Sequence, residues 1–124
     1  MLKVAIVDDC QSHRENLVGF LVDYSKGNSL LFEIDQFSDG YAFLKSFSCQ
    51  YHIVFLDIDM SEIDGLKTAE RIRERDKKVH IVFLTVMSNM AIYGYDYEVS
   101  AFLLKPFDPA VLSLKLNRIV SAIS

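Results

Sequence analysis

The sequence predicts an α/β fold, a doubly wound (βα)5 sandwich around a five-stranded parallel sheet, on the basis of three observations. Short apolar runs rich in β-branched residues recur along the 124 residues, as in strands buried on both faces. Segments with apolar residues at helical spacing separate these runs, so the strands pair in parallel through helical crossovers. Four of the runs end in polar side chains, which a parallel sheet collects at one edge.

The first strand and helix are predicted in residues 3–27. Residues 3–7 form a continuous apolar run, and Asp8 and Asp9 follow it directly. Apolar residues then recur at helical spacing, at Leu17, Phe20 and Leu21. The helical pattern fades at residues 26–28, where glycine and asparagine are typical of a helix end.

The second strand is more polar than the others. Residues 31–37 alternate apolar with polar side chains, which predicts a more exposed strand, and residues 41–47 are predicted as a short helix. The strand order 2-1-3-4-5, a flavodoxin-like arrangement, places this polar strand at an edge of the sheet. It also places the acid-bearing first and third strands side by side.

The third strand ends in an acid, because the apolar run 51–56 leads into Asp57. Asp64 and Gly65 then precede a strongly amphipathic helix. Its predicted apolar face consists of Leu66, Ala69 and Ile72.

The last two strands end in a hydroxyl and an amine. Thr85 closes the fourth apolar run, and Lys105 with Pro106 closes the fifth. Between them, a weak helix or loop is predicted in residues 90–97. A cap residue and a first-turn proline, Asp108 and Pro109, begin the last helix. The apolar residues expected to line that helix are Val111, Leu112, Leu114, Ile119, Val120 and Ile123.

The composition is typical of one domain that spans residues 1–124. Apolar residues make up 51% of the chain, which argues against disorder, and the net charge of −4 provides no global field for nucleic acid. Two cysteines, Cys10 and Cys49, are too few for a disulfide scaffold. With no signal-peptide layout and no apolar stretch near about 18 residues, we expect a cytoplasmic protein that does not enter a membrane.

The strand ends predict a site for phosphoryl chemistry. Carboxylates of Asp8, Asp9 and Asp57 would repel one another by about 4 kcal/mol per pair at about 4 Å and a dielectric of about 20. A hard divalent ion such as Mg²⁺ relieves this repulsion and accepts phosphate oxygens. Asp57 can attack phosphorus to form an aspartyl phosphate. Lys105 supplies a positive charge for the phosphoryl oxygens and Thr85 a hydroxyl donor.

These residues, in this order and spacing, resemble the receiver domain of a two-component response regulator over the whole chain. The matching segments are residues 7–9, residues 57–65, Thr85 and residues 105–107. The resemblance implies that Asp57 is the phosphoacceptor and that a phosphohistidine on a sensor histidine kinase is the phosphoryl donor. It also implies a cis peptide bond between Lys105 and Pro106.

The resemblance also assigns a role to each site residue. Asp9 and Asp57 become side-chain ligands of Mg²⁺, Asp8 a ligand that often acts through water, and Asp59 a ligand through its backbone carbonyl. Lys105 becomes a phosphate contact. Thr85 becomes a switch residue together with Phe102, although ordinary core packing explains Phe102 equally well. Phosphorylation is then expected to act through the face of the fourth helix, fifth strand and last helix, by homodimer formation or by release of an output domain.

Residues 93–99 and 102–107 resemble receivers joined to LytTR-type DNA-binding domains. The chain is then either a single-domain receiver or a piece of a longer regulator, and DNA binding would require a domain absent from this chain.

Three positions depart from the family pattern: Ser61 replaces a usual proline, Val86 a usual small residue, and the acidic Asp59 a residue that is neutral in many relatives.

The sequence is also compatible with two other functions. Residues 55–60 resemble the nucleophile motif of haloacid dehalogenase-type phosphohydrolases, with Asp59 as general acid and with Thr85 and Lys105 as later motifs. That motif belongs on the first strand of a longer chain, and it leaves the Asp8–Asp9 pair unexplained. A non-phosphorylated interaction domain with the same fold is the second alternative.

The three histidines share no ligand spacing, and none is assigned to the chemistry: His13, His52 and His80.

Overall fold

The computed structural model describes residues 1–59, 64–87 and 95–123. The strands are β1 (Leu2–Val7), β2 (Phe32–Phe37), β3 (Ile53–Asp57), β4 (His80–Thr85) and β5 (Ala101–Leu104). The helices are α1 (Gln11–Gly27), α2 (Gly40–Ser46), α3 (Gly65–Arg75) and α4 (Pro109–Ile123). The helix or loop predicted in residues 90–97 lies mostly outside the described residues, as do Ser61 and Tyr93.

All strands of the sheet are parallel, and their order is β2-β1-β3-β4-β5, which confirms the predicted fold. The register pairs Val7 with Leu56 and Thr85 with Leu104. The carboxyl ends of β1, β3, β4 and β5 therefore meet at one edge of the sheet. The edge strand β2 has no fully buried residue, in agreement with its alternating pattern.

Two hydrophobic clusters, one on each face of the sheet, form the core. On one face, Val54, Leu56 and Phe83 pack with residues of α2 and α3. On the other, Phe55 and Leu84 pack with residues of α1 and α4. Because successive strand residues point to opposite faces, each central strand contributes to both clusters. The sheet is thus covered on both sides, as a doubly wound fold requires.

Helix α3 forms as predicted. The side chain of Asp64 caps its first turn by accepting a hydrogen bond from the amide of Lys67 at 2.8 Å. Ala69 and Ile72 are fully buried, and Leu66 packs against the same cluster.

The prediction for helix α4 was partly wrong. Leu112, Leu116 and Ile119 form its buried stripe, whereas Val111 and Leu114 are 41% and 69% exposed. At 3.6 residues per turn, the spacing of the three buried residues places them on one side of the helix. Val111 lies beside that stripe, and Leu114 lies on the opposite side of the helix. In the described part of the chain, no helix is long and apolar enough to cross a membrane.

Candidate functional site

Three carboxylates meet at the carboxyl ends of β1 and β3. One oxygen each from Asp8, Asp9 and Asp57 lies within 4.8 Å of the others. Asp8 and Asp57 are buried, at 1% and 4% exposure, while Asp9 faces solvent. The structure therefore brings together the acids that the strand ends predicted.

The acid pair does not serve as the cap of helix α1. The N-cap residue is Cys10, whose side chain makes no capping hydrogen bond in the described structure. Asp8 instead accepts from the Cys10 amide at 2.9 Å, and its backbone carbonyl accepts from Arg14 at 2.7 Å. These bonds hold the Asp8 side chain at the strand end, in the acidic cluster.

Lys105 bridges the two buried acids. Its Nζ atom lies 2.6 Å from Oδ2 of Asp8 and 3.3 Å from Oδ2 of Asp57. Burial alone would lower the pKa of Lys105, but its hydrogen bonds and charge interactions with both carboxylates outweigh burial and raise it. The peptide bond from Lys105 to Pro106 is cis, as the resemblance implied.

His13 also belongs to this group, although the sequence interpretation assigned it no role. Its Nδ1 atom lies 3.0 Å from Nζ of Lys105 and 3.9 Å from Oδ2 of Asp8. The signal that could have indicated this role is the position of His13, in the first helical turn after the acid pair. His52 and His80 lie elsewhere, at the amino-terminal ends of β3 and β4, where they contact the Lys3 amide and the Ser100 hydroxyl.

Burial has the largest effect on the pKa of Asp57. It raises the pKa of this carboxyl group to about 6, and the nearby charge of Asp8 adds to the effect. The Asp59 amide, which donates to Oδ1 of Asp57 at 3.0 Å, acts in the opposite direction, as does Lys105. The carboxylate form of Asp57 is therefore costly in the ion-free protein, and a cation beside it would lower that cost.

Thr85 lies fully buried at the end of β4. Its hydroxyl donates to Oδ2 of Asp59 at 2.7 Å and accepts from the Met87 amide at 3.1 Å. The contact between the side chains of Thr85 and Asp59 was not predicted from the sequence. Phe102, on β5, is partly buried and packs against the hydrophobic cluster on the α2–α3 face.

The side chain of Val86 is 65% exposed and borders a cavity of about 190 Å³ next to Asp8, His13 and Lys105.

Comparison with known proteins identifies this arrangement. Residues 4–117 match the family model described as the response regulator receiver domain. The chain belongs to this family. Receiver domains bind Mg²⁺ at an acidic pocket, and Asp8, Asp9 and Asp57 form such a pocket here.

Two full-length regulators illustrate the relationship. The receiver domain is 34% identical over 119 residues to the transcriptional regulatory protein BtsR of Escherichia coli, covering 96% of this chain and 48% of BtsR. It is 28% identical over 120 residues to the sensory transduction protein LytR of Streptococcus agalactiae, covering 95% of this chain and 48% of LytR. The chain thus spans about half the length of these curated relatives. The match to LytR agrees with the predicted subfamily.

Solved receiver structures have the same fold. A two-component response regulator from Clostridium difficile superimposes with a TM-score of 0.84 at 26% identity, covering 100% of this chain and 99% of that one. The regulator TrrA of Thermotoga maritima, in complex with Mg²⁺ and beryllium fluoride, superimposes with a TM-score of 0.82 at 31% identity. The match covers 96% of this chain and 99% of TrrA.

Proposed function

We propose that this receiver domain is a Mg²⁺-dependent switch in which Asp57 accepts a phosphoryl group from a sensor histidine kinase. The observation that carries the proposal is the contact of Lys105 with Asp8 and Asp57, inside a cluster of three carboxylates. That combination supplies a nucleophile, oxygen ligands for a hard cation and a counter-charge for phosphoryl oxygens.

The residues present fit a magnesium ion, because three clustered carboxylates are the oxygen ligands that a hard cation prefers. Asp9 and Asp57 would hold the ion through their side chains, Asp8 through water, and Asp59 through its backbone carbonyl. When bound, the ion neutralises charge on the transferring phosphoryl group.

In the transfer step, a carboxylate oxygen of Asp57 forms a bond to phosphorus as the bond from phosphorus to the donor imidazole nitrogen breaks. The bonding pair stays with that nitrogen. Lys105 places its ammonium charge next to the new phosphoryl group. Positioning and electrostatics account for most of such a reaction, so few further groups are needed.

The switch and its output are the remaining parts of the proposal. Phosphorylation of Asp57 draws Thr85 and Lys105 toward the phosphoryl oxygens, and Phe102 repacks into the space released. The changed surface then promotes homodimer formation or releases an output domain. The relative BtsR, a transcriptional regulatory protein about twice as long, favours an output in transcription. Such an output would act through a DNA-binding domain absent from this chain.

Intact mass after incubation with Mg²⁺ and acetyl phosphate tests the proposal. The protein should gain the mass of one phosphoryl group, and Asp57→Asn should gain none while keeping its fold. Asp23→Asn, a change at an exposed residue of α1, serves as the matched control and should be labelled normally. Borohydride trapping followed by peptide mapping should place the label on Asp57, and a label elsewhere would contradict the assignment.

Turnover of an external phosphate ester and uptake of phosphate by the protein together separate the two alternatives. A haloacid dehalogenase-type phosphohydrolase would turn over an external phosphate ester. The motif for that function belongs on a first strand, whereas Asp57 ends the third strand of this chain. A non-phosphorylated interaction domain would take up no phosphate even with Mg²⁺ present.

A further inference from the structure

The hydroxyl of Thr85 already has a partner for its only proton. It donates that proton to the carboxylate of Asp59 at 2.7 Å, while the Met87 amide occupies its acceptor side at 3.1 Å. A hydroxyl carries one donor hydrogen, so Thr85 cannot donate to a second acceptor while this bond exists. A bond from a hydroxyl to a carboxylate also belongs to the stronger, charge-assisted class.

Asp59 is well placed to compete with a phosphoryl group for Thr85. Its backbone amide donates to Oδ1 of Asp57 at 3.0 Å, so the residue lies directly beside the proposed phosphoacceptor. Asp59 is exposed, whereas Thr85 is fully buried. The Asp59 carboxylate can therefore exchange its bond for water, while Thr85 must find its new acceptor inside the site.

We propose that Asp59 is a positioning residue, which holds the Thr85 hydroxyl away from the phosphoryl site until Asp57 is phosphorylated. This inference rests on the proposed role of Asp57. The arriving phosphoryl group offers Thr85 new acceptor oxygens, which favours the exchange. Asp59 thus makes the switch harder to turn on, because the bond to Asp59 must break before Thr85 can stabilise the phosphorylated state.

Binding of beryllium fluoride, a phosphoryl mimic, in the presence of Mg²⁺ measures this competition. Four proteins are compared: the unchanged receiver, Asp59→Ala, Thr85→Val and the double variant. Asp59→Ala should bind the mimic about tenfold more tightly, the change expected when a competing bond of about 1.4 kcal/mol is lost. In the Thr85→Val background the same substitution should change the affinity by less than about twofold, because no hydroxyl is left to release.

A general repulsion between Asp59 and the phosphoryl group gives a different result. It would produce the same gain in affinity with or without the Thr85 hydroxyl, and that outcome would overturn the inference, as would no gain at all. Thr85→Ser is the matched control, because it keeps the hydroxyl and should preserve the gain from Asp59→Ala. Thermal unfolding of each variant checks that the fold is retained.

A second measurement keeps this inference separate from the proposed function. If the unchanged receiver does not bind beryllium fluoride in Mg²⁺, the role of Asp57 fails, but the contact can still be tested. The same four proteins, without the mimic, should show a coupling between Asp59 and Thr85 in their free energies of unfolding. Additive losses would show that the two side chains do not interact, and the inference would then be wrong.

Discussion

The Nζ atom of Lys105 lies 2.6 Å from Oδ2 of Asp8, although the two residues are 97 positions apart in the chain. The contact joins the ends of the first and fifth strands across the mouth of the site. Both side chains are largely buried, at 12% and 2% exposure. The ammonium group therefore counterbalances the charge of the clustered carboxylates.

Removal of Lys105 should destabilise the protein most when Mg²⁺ is absent. Lys105→Met leaves the buried Asp8 without its cation, and loss of one partner of such a pair costs about 3 kcal/mol. Saturating Mg²⁺ should restore much of the loss. Urea unfolding with chelator and with Mg²⁺ measures both values. Lys67→Met, at a half-exposed lysine paired with Glu70, is the control and should change the free energy of unfolding by less than about 1 kcal/mol.

Mg²⁺ should raise the melting temperature of the unchanged protein, because it binds the folded carboxylate cluster and not the unfolded chain. At about 100 times its dissociation constant, the ion would contribute about 2.7 kcal/mol. Asp9→Ala should lose most of this response and, by removing one repelling charge, be slightly more stable without the ion. A full Mg²⁺ response in Asp9→Ala would show that this side chain is not a ligand.

The raised pKa of Asp57 predicts a pH dependence of stability in chelator. Between about pH 4 and pH 6 the folded protein retains a proton on Asp57 that the unfolded chain has lost. The unfolded state then binds fewer protons, so the free energy of unfolding falls as the pH rises through this window and levels off above it. Asp57→Asn removes this contribution and should be the more stable protein at pH 7. Parallel pH profiles for the two proteins would contradict the prediction.

Gly65 is expected to tolerate no side chain. A Cβ atom there would lie 2.3 Å from the backbone oxygen of Asp57 and 2.6 Å from Cα of Ile58. Because backbone atoms form this contact, Gly65→Ala should push α3 away from the end of β3. We expect a loss of about 3 kcal/mol in urea unfolding, together with weaker Mg²⁺ binding.

Gly19→Ala is the matched control for this substitution. Gly19 also lies within a helix, but apart from its chain neighbours and the backbone of its own helix, no atom stands within 4 Å of an added Cβ. The higher helix propensity of alanine should stabilise this variant by about 0.5–1 kcal/mol. If both substitutions stabilise the protein, the close approach at Gly65 is not a constraint.

Most of the site could be predicted because hydrophobic patterning locates the ends of strands. An apolar run precedes each of four site residues: Asp8, Asp57, Thr85 and Lys105. Parallel pairing brings such positions to one edge of the sheet regardless of the loop conformations. Arg73 was not predicted. It is 9% exposed and donates to the backbone carbonyls of Tyr97, Glu98 and Asp76. A charged residue on an amphipathic helix resembles a solvent-facing one. Two of its three partners, Tyr97 and Glu98, lie 24 and 25 residues away, and contacts at that separation leave no periodic signal.

The sequence by itself determined the strand order, the two-sided core and the set of polar groups at the sheet edge. The core and the polar edge follow from repeat periods of two and 3.6 residues and from the crossover rule. The strand order follows from the polarity of the second strand among the known doubly wound orders. Only the tertiary structure decided which of those groups bond to one another. The Thr85 hydroxyl binds the Asp59 side chain, and His13 lies against Lys105. Such contacts depend on side-chain reach across neighbouring strand ends, at a scale of about 3 Å that no sequence pattern encodes.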